Sequence, residues 1–134
     1  MRNHKIAYLL LIILAMLSLT IPRYLFPMIL ETDVPLDVVE SGSMEHELHI
    51  GDLLISQGMS ADKLEEGLII VFKRPSANYL IVHRIYRLYG HRIITKGDMN
   101  AMPDPFYITS RDIRGVVIAR IPLVGYLTLL FRTR

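Results

Sequence analysis

The chain has 134 residues, of which 51% are hydrophobic and 21% are charged, and its formal net charge at pH 7 is +2. This length allows one small domain, and the basic residues are scattered rather than set among aromatic residues, which argues against a nucleic-acid-binding protein. Cysteine is absent, which excludes disulfide bonds and thiolate metal ligands. The hydrophobic residues concentrate in residues 6–30 and 116–131, which indicates contact with a membrane.

The N-terminal segment predicts a membrane anchor. Arg2 and Lys5 precede a mostly apolar stretch over residues 6–30, and roughly 20 such residues suffice to cross a bilayer. No small-x-small cleavage site ends the stretch, so we expect an uncleaved anchor over residues 1–30, with a removed secretory signal peptide as the alternative. Because the basic residues lie before the stretch and acidic residues follow it, we expect a cytoplasmic N-terminus and an extracytoplasmic domain over residues 31–134.

The extracytoplasmic part predicts a mostly-β domain, either a small barrel or a sandwich. Apolar and β-branched runs of strand length alternate with glycine- and proline-containing turns. The predicted strands are residues 36–40, 52–56, 68–72, 79–89 and 91–98. Residues 62–66 predict one short helical turn.

The C-terminal stretch, residues 116–134, is apolar but too short for a second crossing. Arg120, Pro122 and Gly125 interrupt it, and an arginine is costly at bilayer depth. We expect a closing strand from Ile121 onward and then a segment on the membrane surface, on the same side as the rest of the domain. The alternative is that these residues fill the core of the barrel.

Two serines flank a glycine shortly after the anchor, in the sequence Ser41-Gly42-Ser43-Met44. Such a sequence favours a tight turn that exposes a hydroxyl group and lets backbone N–H groups approach a bound carbonyl. A nucleophilic serine is therefore one interpretation. An ordinary solvated loop is the other, because Ser-Gly-Ser is common in loops.

His83 lies in an apolar predicted strand, where a histidine is more often structural than catalytic. A two-residue turn at Gly90 and His91 pairs this strand with the next one and places Asp98 directly opposite His83. Opposed side chains have Cβ atoms roughly 4.5–5.5 Å apart, within reach of an imidazole–carboxylate hydrogen bond. An aspartate that orients a histidine is one half of a Ser-His-Asp arrangement.

A metal site is the competing interpretation of a second histidine cluster. His46 and His49 lie between Glu45 and Gly51, with spacing that would share one face of a helix. No third ligand follows at a telling distance. We therefore expect a solvated loop here, with no metal ion and no cofactor.

Four motifs in a fixed order resemble those of the type I signal peptidases of the archaeal and endoplasmic-reticulum type, the subgroup whose general base is histidine rather than lysine. The motifs are Ser41-Gly42-Ser43-Met44, Gly51-Asp52-Leu53-Leu54-Ile55, Val82-His83-Arg84-Ile85, and Lys96-Gly97-Asp98-Met99-Asn100 with Asp104. Residues 115–126 are similar to the closing motif of that family. The resemblance covers nearly the whole chain and implies the small β-barrel-like peptidase fold behind one transmembrane helix.

The resemblance also implies roles for individual residues. Ser43 matches the nucleophile and His83 the general base, while the Ser41 hydroxyl and the Ser43 N–H match the oxyanion hole. Asp98 and Asp104 match two aspartates of which one supports the histidine, and the hairpin pairing favours Asp98. The expected walls of the substrate groove are Val38, Val39, Leu80, Ile81 and Val82.

The function implied is that of a serine endopeptidase that removes signal peptides from secretory preproteins at the membrane surface. The expected partners are signal peptides, the lipid bilayer and accessory membrane subunits, without nucleic acid. The expected location is the cell membrane, with the endoplasmic reticulum membrane as the alternative. Self-cleaving repressors share the fold, but a membrane anchor and a histidine base argue against them. A non-enzymatic membrane-anchored subunit or a metal-binding envelope protein remains the alternative function.

Overall fold

The computed structural model describes residues 2–74 and 79–126. An N-terminal helical segment has three consecutive parts: α1 (Arg2–Thr20), a π-helical turn (Ile21–Leu25) and α2 (Phe26–Leu30). Pro22 and Pro27 lack the amide proton that an α-helical ladder requires, which accounts for the change of hydrogen-bonding pattern between α1 and α2. Within the described residues, one helix, His4–Leu30, is long and apolar enough to cross a bilayer, by length and composition alone.

Six strands follow the helical segment: β1 (Leu36–Val38), β2 (Leu53–Gln57), β3 (Ile69–Lys73), β4 (Leu80–Tyr89), β5 (Arg92–Lys96) and β6 (Ile113–Ile121). Single 3₁₀ turns cover Gly42–Met44, Ala61–Lys63 and Ser110–Asp112. The strands form one antiparallel sheet in the order β1-β2-β6-β3-β4-β5. The prediction of a mostly-β domain behind one apolar helix is confirmed.

The closing strand is the element that the sequence placed wrongly. It is β6, which ends at Ile121, where we expected it to begin. β6 pairs with β2 on one side and β3 on the other, so it lies in the middle of the sheet and buries Gly115 and Val116. The expected membrane-surface segment falls mainly on residues 127–134, which lie outside the described residues.

Two groups of buried side chains form the core. The larger one joins β3, β4, β5 and β6 through Ile70, Phe72, Ile85, Ile93, Ile108 and Val116. The smaller one consists of Val39, Met44, Leu48 and Leu54 and lies beneath the loop between β1 and β2. This loop therefore has an apolar core of its own.

The β4–β5 hairpin contains an irregularity that changes its pairing. Next to the turn, Tyr89 pairs with Arg92 and Arg87 with Ile94, as a two-residue turn requires. A β-bulge at Tyr86 then shifts the register by one residue, so that Ile85 pairs with Thr95. Two residues on β4 oppose one on β5 at such a bulge, and every later pair moves by one position.

The end of the helical segment is bonded directly to the sheet. The Gly58 N–H donates to the Leu30 carbonyl at 2.7 Å. A Cβ atom at position 58 would overlap the Glu31 carbonyl group, so only glycine fits this close approach.

We expect Gly58→Ala to lower the free energy of unfolding by about 2–3 kcal/mol, because the added methyl group must displace backbone rather than a mobile side chain. Gly90→Ala is the matched control: Gly90 has φ +57 and open space around its Cα, so its substitution should cost only about 1 kcal/mol of backbone strain. Thermal unfolding in detergent, followed by circular dichroism, measures both. Equal losses in the two variants would contradict the tight contact at Gly58.

Candidate active site

Ser43 lies in the 3₁₀ turn that follows β1, at the surface of the smaller core. Its neighbour Met44 is only 1% exposed and holds the turn against the core, while the Glu45 N–H closes the turn onto the Gly42 carbonyl at 3.1 Å. The Ser43 carbonyl accepts a hydrogen bond from the Met99 N–H at 2.9 Å. The hydroxyl is therefore presented at the surface by a backbone that is held on both sides.

His83 lies on β4 and faces the serine. Its Nε2 lies 3.2 Å from Ser43 Oγ, and its Nδ1 lies 2.7 Å from Asp104 Oδ2. The side chain is 10% exposed and meets the buried Phe72 ring edge-on, with ring centroids 6.4 Å apart. The imidazole is thus held in place by packing as well as by hydrogen bonds.

Asp104 determines which nitrogen of His83 carries a proton. Its Oδ2 also accepts a hydrogen bond from the buried Thr95 hydroxyl at 2.6 Å, and its N–H donates to the Thr95 carbonyl. A carboxylate only accepts hydrogen bonds, so His83 Nδ1 must be the donor. In the neutral ring, Nε2 is then left as an acceptor that points at the Ser43 hydroxyl.

The expected pairing of His83 with Asp98 is wrong. The bulge at Tyr86 moves Lys96 opposite Arg84, and Asp98 binds the Arg84 guanidinium through Nε at 2.9 Å and Nη2 at 2.7 Å. These hydrogen bonds from Arg84 hold the pKa of Asp98 below its ordinary value, against burial, which acts to raise it. Asp98 therefore stays ionised and fixes the loop that follows β5, and Asp104 is the carboxylate in contact with His83.

The loop after β5 touches the loop that carries Ser43 through backbone atoms. A Cβ atom on Gly97 would lie 2.8 Å from the Ser43 carbonyl oxygen and 2.8 Å from the Asn100 side-chain nitrogen. A glycine is required at this position because two backbones meet there.

A cleft of about 690 Å³ opens beside Ser43 and His83. One wall comes from β1 and the residues after it, and the other from the first half of β4. These two strands are separated by three others in the sheet order, so the sheet curls round to bring them together. All five residues expected in the groove line the cleft: Val38, Val39, Leu80, Ile81 and Val82. Ser41 lines it as well, with its Oγ 3.4 Å from Ser43 Oγ.

In the second histidine cluster, His49 belongs to an ion-pair network around Asp52, whereas His46 is exposed. Buried Asp52 accepts hydrogen bonds from the His49 N–H at 3.0 Å and from Arg120 at 2.7 Å. These bonds, with one from the Leu123 N–H, hold the pKa of Asp52 below its ordinary value although burial acts to raise it. Within residues 2–74 and 79–126, no three His, Cys, Asp or Glu side chains are grouped so that they could hold a metal ion. The network ties the loop after Ser43 to the end of β6.

Sequence reasoning missed Thr95, Arg84 and Arg120 as parts of this arrangement. Thr95 reads as an ordinary strand residue, and only its inward position two residues after Ile93 signals burial. Arg84 and Arg120 find their carboxylate partners 14 and 68 residues away, and no local pattern predicts such pairs.

The chain matches the protein family described as "Signal peptidase, peptidase S26" over residues 5–112. It is 38% identical over 108 residues to the signal peptidase complex catalytic subunit SEC11 of Pyricularia oryzae, an alignment that covers 72% of this chain and 63% of that protein. The proteins of the same name from Verticillium alfalfae and Leptosphaeria maculans are 37% and 38% identical, with 76% and 75% of this chain and 66% and 65% of those proteins covered. The chain thus spans somewhat less than two thirds of the length of these relatives.

We expect Asp98→Asn to lower the free energy of unfolding by about 1 kcal/mol at pH 7, because it removes a bidentate pair that is about three-quarters buried at Asp98. The folded-state pKa of Asp98 lies below the unfolded value of about 3.9, so this contribution is full above that pH and is lost as the pH falls through the folded pKa. Unfolding midpoints of parent and variant should therefore differ at pH 7, and the difference should shrink as the pH falls below about 3.9.

Asp33→Asn serves as the matched control, since Asp33 is 67% exposed and lies 3.6 Å from Arg114. Its substitution should change stability by less than about 0.5 kcal/mol at any pH. A constant difference between the parent and Asp98→Asn from pH 7 to pH 3 would contradict the electrostatic explanation.

Proposed function

This chain belongs to the signal peptidase family, peptidase S26, and we propose that it is a serine endopeptidase that cleaves signal peptides from membrane-inserted preproteins. The resemblance drawn from the four sequence motifs is thereby confirmed at the level of the family. The observation that carries the proposed chemistry is the continuous chain of contacts from Ser43 Oγ through His83 to Asp104.

The proposed reaction is acyl transfer through Ser43. His83 Nε2 accepts the hydroxyl proton as Ser43 Oγ attacks the scissile carbonyl carbon, and the protonated ring then donates that proton to the leaving amine. Water attacks the acyl-enzyme in a second step, with His83 again as the base, and the proton returns to Ser43 Oγ. Asp104 keeps Nδ1 protonated throughout and stabilises the positive ring that forms in each step.

When Ser43 attacks, negative charge develops on the oxygen of the scissile carbonyl group. This charge requires hydrogen-bond donors on the Ser43 side of the cleft. We assign this role to the Ser43 N–H and the Ser41 hydroxyl. Support comes from the 3.4 Å separation of the two serine hydroxyl oxygens, which lets both contact one reacting carbonyl group.

The cleft suits an extended peptide. Its walls are strands, and Val39, Met44 and Leu48 give it a buried apolar floor beside Ser43. Specificity for small residues before the cleaved bond is our proposal from the family resemblance. Val38, Val39, Leu80, Ile81 and Val82 are the proposed binding residues.

The proposed setting is a membrane. The apolar helix would anchor the chain with its N-terminus in the cytoplasm and residues 31–134 on the other side, in the cell membrane or alternatively in the endoplasmic reticulum membrane. The related proteins are named as catalytic subunits of a signal peptidase complex, which supports accessory membrane subunits as partners of this chain.

We expect Ser43→Ala and His83→Ala each to lower cleavage of a preprotein by at least about 10⁴-fold, and the double variant to be no worse than either single one, because the two side chains act as a unit. The measurement is cleavage by the purified protein in detergent, followed by gel electrophoresis. His91→Ala is the matched control, since His91 lies exposed in the β4–β5 turn, and it should retain full activity. Substantial cleavage by Ser43→Ala would rule out the serine mechanism.

We expect Asp104→Asn to lower kcat by about 10²–10⁴-fold, because an amide can donate to Nδ1 and so stabilise the wrong tautomer of His83. Asp98→Asn should lower kcat by less than about tenfold, since Asp98 binds Arg84 and not the histidine. Initial rates at saturating substrate compare the two. The opposite order of effects would restore Asp98 as the partner of His83.

A further inference from the structure

The junction between the helical segment and the sheet is bonded through almost every residue. The Thr32 N–H donates to the Pro27 carbonyl at 3.3 Å, and the Thr32 hydroxyl donates to the Arg114 carbonyl at the start of β6. The same hydroxyl oxygen accepts the Val34 N–H at 3.1 Å. Thr32 is only 7% exposed, so these bonds are shielded from water.

The sheet contributes a second set of contacts at the same place. The Gly58 N–H bonds to Leu30, as described above, and the Ser56 N–H donates to the Pro35 carbonyl at 3.0 Å. A Cβ atom on Gly115 would lie 2.9 Å from the Ser56 Cβ and 3.4 Å from the Thr32 hydroxyl oxygen. These hydrogen bonds and close contacts therefore fix the conformation of the short segment between α2 and β1.

Most of the described helix lies free of the sheet. Of the helix residues whose exposure is described, only Phe26, Pro27 and Leu30 are partly buried, and the rest are exposed. The orientation of the helix relative to the sheet depends on its last turn and on the Thr32 and Gly58 bonds.

The junction and the nucleophile lie at opposite ends of the same strand. β2 ends at Gln57, directly before Gly58 at the junction, whereas Leu53 at its start follows the loop that carries Ser43. Five residues of strand at roughly 3.3 Å each span about 13 Å between first and last Cα. Strand β2 is paired with β6 along this length and with β1 over its first three residues, so it acts as a stiff spacer.

We propose that this junction sets the reach of Ser43 from the membrane, and that Thr32 is a positioning residue for cleavage of membrane-inserted substrates. The proposal rests on the proposed function. A substrate that is itself held in the bilayer by an apolar segment presents only one part of its chain at a given height and angle. A stiff junction holds Ser43 at the height of that part of the substrate. A flexible junction would let Ser43 occupy many positions, so that it would seldom be aligned with the scissile bond.

The test compares two substrates in two variants. Thr32→Val removes the hydroxyl and keeps the shape, and Thr32→Ser is the matched control that keeps the hydroxyl. With the protein in lipid vesicles, we expect Thr32→Val to cleave a membrane-inserted preprotein at least about tenfold more slowly than the parent, while a short soluble peptide with the same cleavage site is cleaved within about twofold of the parent rate. Thr32→Ser should match the parent on both substrates.

Two results would overturn the proposal: equal loss on both substrates, which would mean that Thr32 serves only the fold, and no loss on either. A parent protein that cleaves neither substrate would instead sink the proposed function.

The stiffness of the junction can also be measured without any cleavage activity. The chain has no cysteine, so spin labels attach cleanly to Leu19→Cys on the helix and His91→Cys on the β4–β5 turn, both at exposed positions. Pulsed electron paramagnetic resonance in vesicles should give one narrow distribution of distances between the two labels. The distribution should broaden when Thr32→Val is added and stay narrow with Thr32→Ser. A broad distribution in the labelled parent would overturn the proposal.

Discussion

The hydrogen bond between His83 Nδ1 and Asp104 Oδ2 is the interaction on which the site depends. Both side chains are about one-tenth exposed, so the charge on the carboxylate is poorly solvated and needs the donors that the fold supplies. Thr95 and His83 provide two of them, from β5 and β4, at 2.6 and 2.7 Å. The strands, the inward position of Thr95 and the loop that returns to Asp104 are all needed for this one contact.

Ser43 is held in place mainly by packing. Met44 and Leu48 bury the loop from below, and the Met99 N–H holds its carbonyl group from the side. The loop after β5 thus serves both halves of the site, because it touches Ser43 through its backbone and is itself secured by the Arg84–Asp98 pair. Ser43 and His83, 40 residues apart in the chain, meet because the curled sheet brings β1 and β4 to one cleft.

Most of the architecture could be predicted because its signals are local. Apolar runs separated by glycine turns locate β2, β3, β4 and β5 to within two residues, and the apolar helix is evident from composition. The partner of His83 could not be predicted in the same way, since it depends on a single extra residue in β4. A trace of that residue exists: His83 and Ile85 are inward and two apart, but the next inward side chain, Leu88, follows after three. No pattern in the sequence predicts the ion pairs of Arg84 and Arg120, because charged partners that are far apart in sequence meet only once the sheet has formed.

The β-bulge at Tyr86 also divides the hairpin into two zones with different tolerance to changes in length. Between Tyr86 and the turn, residues added or removed as matched pairs, one on each strand, would lengthen or shorten the hairpin and leave the site untouched. A single-residue deletion at Lys96, on the other side of the bulge, would be different, since it moves every later pair by one position and brings Asp98 opposite His83 in place of Gly97. The chain would then carry the same serine and histidine with a different carboxylate beside the imidazole. Natural variation in hairpin length should accordingly accumulate at the tip and avoid the strand segments between the bulge and the site.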